Sequence, residues 1–176
     1  MGCLSKISQA IAFDCVTSNG LVQAVMINRD DVMSWSLTGD EVSAITLVGG
    51  GKGVQIATTK RSLIASETLR VNDIAPNGFT HELTVAVFDQ KLYASIANQL
   101  ANGSVIVLTK AAAGTDFVYR AYGMEWGLVA TSSTRTSHDN GGVGTFTMST
   151  PEGVVGEDTL TVKNTLFDTL YNGAIV

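Results

Sequence analysis

Charge is what this chain has least of. Only 15% of its 176 residues are Asp, Glu, Lys or Arg, against about a quarter in an average soluble protein. With 45% hydrophobic residues, that excludes an intrinsically disordered tail, which needs low hydrophobicity and high charge. Cations are outnumbered: 11 Lys and Arg against 16 Asp and Glu give a net charge of −5. A generally basic nucleic-acid binder is disfavoured, because phosphate binding needs a cationic face. The two cysteines, Cys3 and Cys15, form neither a disulfide framework nor a Cys-x-x-Cys pair. They fit synthesis in a reducing cytoplasm. No stretch reaches the roughly 18–20 apolar residues of a membrane helix, so no membrane partner is expected. The opening MGCLSKISQAIAF lacks the apolar run of a signal peptide. Lys6 stands where a myristoylation motif wants Ser or Thr. Proline occurs only twice, whereas Gly reaches 18, Thr 20 and Val 19. That profile predicts strands joined by glycine turns.

At this length a single domain, residues 1–176, is expected, with candidate arms at 1–18 and 160–176. Strand patterns fall at Leu21–Ile27, Val32–Leu37 and Val42–Val48. The run Gly49-Gly50-Gly51-Lys52-Gly53 then separates Val42–Val48 from Val54–Thr58 and predicts a hairpin between them. Further strands are read at Lys60–Val71, Leu83–Phe88, Ser104–Thr109, Phe117–Tyr122, Glu125–Thr131 and Val143–Met148, with two last short elements at Thr159–Val162 and Leu166–Leu170. One helix interrupts them. Asp89 can cap it, Leu92, Ile96 and Leu100 form one apolar face, and Asn102-Gly103 stops it. The fold class is therefore mainly β: an antiparallel sandwich or small barrel with one flanking α-helix.

No catalytic constellation withstands a check of its chemistry. The run around Lys52 lacks the first glycine of a phosphate loop and the hydroxyl after the lysine, since Ile45 and Gly53 occupy those places. His138-Asp139 lies among serines, but no Gly-x-Ser-x-Gly elbow presents a nucleophile. His81-Glu82 and His138-Asp139 are the only adjacent His–carboxylate pairs, short of the three or four ligands zinc wants. Asp139-Asn140-Gly141-Gly142 and Asn28–Asp31 offer too few oxygens for calcium. Asp30-Asp31 and Glu157-Asp158 are sequence neighbours, which on a strand face opposite ways and cannot flank a glycosidic bond. Trp35, Trp126, Tyr119 and Tyr122 could line a sugar platform, but aromatics of an all-β chain more often serve its core. The reading is a non-enzyme with no metal and no cofactor. Its charge-poor surface suits burial against copies of itself, because permanent interfaces lose charge at their centres. The candidate assembly loops are Gly49–Gly53 and the polar loop 132–142, with His138, Asp139 and Asn140 at its tip.

Three stretches carry a resemblance: MGCLSKISQAIAFDC followed by Asn19-Gly20, YGMEWGLVATSS, and DNGGVGTFTMSTPEG. Together they resemble virion proteins of Bacteroidetes-infecting phages, most of all the tail ring proteins of crAss-like phages. The order of strand, helix (Gln90–Ala101) and further strands also resembles the tail-tube fold. The resemblance implies a structural protein of the virion tail, made in the host cytoplasm. Copies would form a ring whose lumen passes DNA without binding it specifically. Neighbouring tail rings and portal-side or muzzle-type proteins would be its partners. A net charge of −5 is compatible with DNA sliding past. Two other classes are weighed against it. A carbohydrate- or surface-binding sandwich would carry exposed aromatics in one row, and a small hydrolase would depend on His138.

Overall fold

The computed structural model describes residues 18–56, 62–87, 93–136 and 143–175. Among these residues the chain is mainly β, with eleven strands hydrogen-bonded into one mixed, unclosed sheet, and two α-helices. The expected β-rich fold with a flanking helix is what the chain adopts. The strands are β1 (Ser18–Asn28), β2 (Val32–Thr38), β3 (Glu41–Leu47), β4 (Val54–Ile56), β5 (Leu63–Arg70) and β6 (Gly78–Val87), then β7 (Ser104–Ala113), β8 (Asp116–Tyr122), β9 (Leu128–Arg135), β10 (Gly144–Ser149) and β11 (Leu160–Val162). The helices are α1 (Tyr93–Asn102) and α2 (Asn164–Asn172).

The long strand β7 organises the rest. One flank pairs with β1 over most of its length, and the other pairs with β8 and then with the start of β9. Along that second flank β8 and β9 run in the same direction, separated by the turn 123–127. The chain there passes from one half of the sheet into the other, β9-β10-β6-β5. Gly123 and Gly127 make this corner feasible. Both have positive φ, 75° and 73°, and a Cβ on Gly123 would meet the Leu128 backbone nitrogen at 3.0 Å.

Two hydrophobic clusters lie on opposite faces of β1 and β7. Ala24, Val105 and Val107 join Leu83, Val85, Phe146, Met148 and Leu100 of α1 in one. Val25, Ile27, Ile106 and Leu108 join Val32, Val42, Leu160 and Phe167 of α2 in the other. Burial on both faces is why SVIVLT reads as a continuous apolar run instead of an alternation.

Four expectations need correction. The sheet is not wholly antiparallel, because β11 runs parallel to β3. β3 and β4 do not form a hairpin. β3 pairs with β2 and β11, and β4 pairs with β1. Burial decides this: Ala24 of β1 is fully buried and needs a neighbour on that side. The segment 160–175 is not an arm, since β11 and α2 pack onto the sheet with Phe167 completely buried. A second helix therefore joins α1, where the sequence predicts only a short element at Leu166–Leu170. α1 itself is described from Tyr93, so Asp89 and the start of the predicted helix lie outside the described residues. So do most of the candidate arm 1–18 and the tip of the loop 132–142.

One contact is tight enough to test directly. Gly78 opens β6 against Gly156, and a Cβ on Gly78 would lie 2.6 Å from the Gly156 carbonyl carbon. Backbone meets backbone there, with no flexible side chain to give way. Gly78→Ala is expected to lose about 1–3 kcal/mol, as overpacked sites do. Urea unfolding measures it, and an unchanged midpoint would show that the two backbones can part freely.

Candidate functional site

The sheet path ends at β2 on one side and at β5 on the other. Among the described residues neither strand has a second pairing partner. The third terminal strand, β4, is covered by a parallel bridge from Val54 to Ile175. Exposed edges are usually blunted with Lys, Pro or inward charge. β2, VMSWSLT, holds no charge and no proline. β5 holds Glu67 and Arg70, but both are engaged within the chain: Glu67 accepts from Arg120 Nη1 at 3.3 Å and Thr159 Oγ1 at 3.3 Å, and Arg70 Nη1 donates to the Val154 carbonyl at 2.9 Å. Met33 and Leu37 on β2, and Ile64 and Leu69 on β5, leave apolar side chains exposed along these edges.

The loop joining β5 to β6, residues 71–77, is more prominent than either edge. Asn72 Nδ2 donates to the Pro76 carbonyl at 2.8 Å, and the Asn72 backbone N–H donates to Asn77 Oδ1 at 2.9 Å. These bonds brace the loop from inside. At its tip Ile74 is fully exposed, and Val71 beside it is largely so.

The sequence-predicted assembly residues fare differently. Gly49, Gly50 and Lys52 are exposed on a crossover loop from β3 to β4, not on a hairpin tip. Gly53 is buried, its carbonyl accepts from Ile175 N–H at 2.8 Å, and a Cβ there would sit 2.4 Å from Val25 Cγ2. Gly51 N–H donates to Val48 O at 2.7 Å. The glycine run is thus partly built into the fold by close approach to β1. His138, Asp139 and Asn140 lie outside the described residues. The aromatics do not form one platform: Tyr122 is buried, Tyr119 packs against Phe167, Trp35 lies against the same cluster, and only Trp126 is half exposed at the corner.

A buried polar cluster under the corner was not visible in the sequence. His81 on β6 stands opposite Glu67 on β5 and is almost completely buried. Its Nδ1 accepts the Gly123 N–H at 3.2 Å. A nitrogen accepting that bond carries no proton, so the ring is neutral with its proton on Nε2. Nε2 faces Glu67 Oε1 at 3.9 Å, too far for a hydrogen bond. On the other side Glu157 Oε2 lies 3.7 Å from Nδ1 and accepts the Glu125 N–H at 3.2 Å. Tyr122 closes the pocket with an edge-on ring 5.4 Å away.

Burial drives the titration of this cluster. Loss of hydration pulls His81 down to about 4 and pushes Glu157 up to about 7, against the opposing effect of backbone N–H bonds from the corner. The facing atoms agree with these directions: a lone pair on Nδ1 cannot favour an ionised carboxylate 3.7 Å away. Between about pH 4 and pH 7 the pair is therefore a neutral imidazole beside a carboxylic acid rather than a salt bridge. His81 Nε2, Glu67 Oε1 and Glu157 Oε1 make no hydrogen bond within the protein. The two carboxylates lie on opposite sides of the ring, so the three groups do not converge as metal ligands, and no group that could hold a metal occurs among the described residues. The sequence carries no signal for this cluster: the strand expected at Leu83–Phe88 starts after His81, whereas β6 begins at Gly78 and includes it. Its partners are 14 and 76 residues away by their numbering in the chain.

An apolar cavity of about 460 Å³ opens between α1, β4 and the end of β6. Met26, Val54, Ile56, Val87, Ile96 and Leu100 line it, and among the described residues no charged side chain does.

Comparison with known protein families, with curated proteins and with solved structures finds no match to this chain.

Proposed function

We propose that this chain is a structural protein of a phage virion, assembling with copies of itself into a ring of the tail around the channel through which DNA leaves. The observation that carries the proposal is the pair of sheet edges, β2 and β5, that no strand among the described residues covers, on a surface poor in charge. A chain that leaves two such edges unblunted exposes a template for pairing with other chains. Edges at opposite ends of one sheet path join head to tail, and a heterologous contact of this kind closes into a ring when the rotation allows. The resemblance to tail ring proteins supplies the setting, a virion tail, and the net charge of −5 suits a lumen that DNA must slip through.

The mass of the purified protein in solution and negative-stain images test this reading. Rings, with each contact burying well over about 2,000 Å² in total as obligate interfaces do, are the expected result. Absence of the protein from purified virions would refute it.

A further inference from the structure

The two most unusual surface features of the chain are complementary. The braced loop 71–77 holds the Ile74 side chain fully exposed. Leu69, Val71 and Val155 are also exposed at that end, and Arg70 ties β5 to Val154 there. A large aliphatic residue held fully in water on a loop with internal hydrogen bonds loses little entropy when it docks, because its loop is already ordered. The cavity lined by Met26, Val54, Ile56, Val87, Ile96 and Leu100, with no charged side chain among the described residues around it, offers an apolar acceptor.

The fold keeps knob and cavity apart. Loop 71–77 precedes Gly78, the first residue of β6, and the cavity is built around Val85, Ala86 and Val87, its last. Ten residues of strand separate them, about 30 Å at 3.4 Å per residue. Ile74 therefore cannot fill the cavity of its own chain. It can fill that of a second copy. A knob at one end of a molecule and its socket at the other make a heterologous contact, which propagates head to tail.

Resting on the reading of this chain as a self-assembling ring protein, we infer that the contact between copies is anchored by Ile74 of one copy entering the cavity at Val54, Ile96 and Leu100 of the next. Asn72 serves this contact by holding the loop in shape.

Sedimentation of the full-length protein tests the inference with two variants at exposed positions. Ile74→Asp removes the knob, and Val54→Arg, on the half-exposed rim of the cavity, blocks the socket. Each alone is expected to weaken association at least tenfold, as loss of a central apolar anchor does. Mixed in equal amounts they should form a one-to-one dimer that grows no further, because each partner keeps one good surface. Ile74→Ser gives a milder check in which the fold is least disturbed, and it too should weaken assembly. Wild-type rings with Ile74→Ser and Val54→Arg assembling equally well would overturn this inference and leave the ring reading standing. A wild-type chain that stays monomeric at every concentration and is absent from virions would overturn both.

Discussion

Glu157→Gln is expected to make the protein lose stability as pH falls, His81→Gln to make it lose stability as pH rises, and the wild type to change little over the same range. Each sign follows from where the proton sits. In the folded chain His81 titrates near 4, below its ordinary 6.5. Between those values the unfolded chain binds a proton that the folded chain does not, so this group's contribution worsens as pH falls from 6.5 to 4. Glu157 titrates near 7, above its ordinary 4.5. Between those values the folded chain holds a proton that the unfolded chain has released, so its contribution worsens as pH rises from 4.5 to 7. In the wild type the two nearly cancel, because folding moves one proton from the imidazole to the carboxyl.

Removing either group exposes the dependence of the other. A shift of this size corresponds to about 3 kcal/mol across the window for each single variant. Glu67, Arg120, Tyr122 and Glu125 also face or border the pair and set the common background. Urea unfolding at half-unit steps from pH 4 to pH 8 measures all three proteins. Parallel curves for the two variants would show that burial does not drive the two groups' titrations apart.

Phe167→Ala is expected to cost about 3–5 kcal/mol, the range for emptying a fully buried phenylalanine site. Phe167 is the buried residue of α2, with rings of Tyr119 and Tyr171 at 5.3 Å and 5.8 Å. It fixes α2 over the second hydrophobic cluster, where Val42, Leu160 and Val162 are also buried. Only two residue pairs register β11 with β3, so that parallel pairing depends on the helix that follows. Loss of α2 should free Ile175, whose N–H bonds to Gly53 and whose carbonyl accepts from Gln55, and so loosen β4. The change is read as a drop in the urea midpoint, with hydrogen exchange rising first in β4 and β11. A drop below about 1 kcal/mol would mean that the site collapses around the smaller residue.

Much of the local structure was legible because it repeats at short range. Alternation in VGTFTM fixed which side chains of β10 face inward, and Phe146 and Met148 are buried as that pattern requires. Ile96 and Leu100 line one face of α1, and Asn102-Gly103 ends it. α2 was within reach too. Leu166, Phe167, Leu170 and Tyr171 recur at helical spacing before Gly173, but nine residues rich in Thr and Asn give a weak pattern.

What periodicity cannot carry is the choice of partner. An alternating strand declares which face is apolar, but not which neighbour will take its hydrogen bonds. The glycine run after β3 suggested the shortest return, a hairpin. Total burial favoured another answer, because β1 needed β4 beside Ala24 and Val25, and Gly53 is the residue small enough to lie against Val25. The same holds for the buried cluster. His81, Glu67 and Glu157 are ordinary polar residues along the chain, and only the turn of the sheet at Gly123–Gly127 brings them under one corner and strips them of water. The sequence by itself determined the β-rich class, the elements and the scarcity of charge, since these depend on each residue and its near neighbours. The tertiary structure alone decided the strand order, the open edges and the proton of Glu157, since each depends on what distant segments bury together.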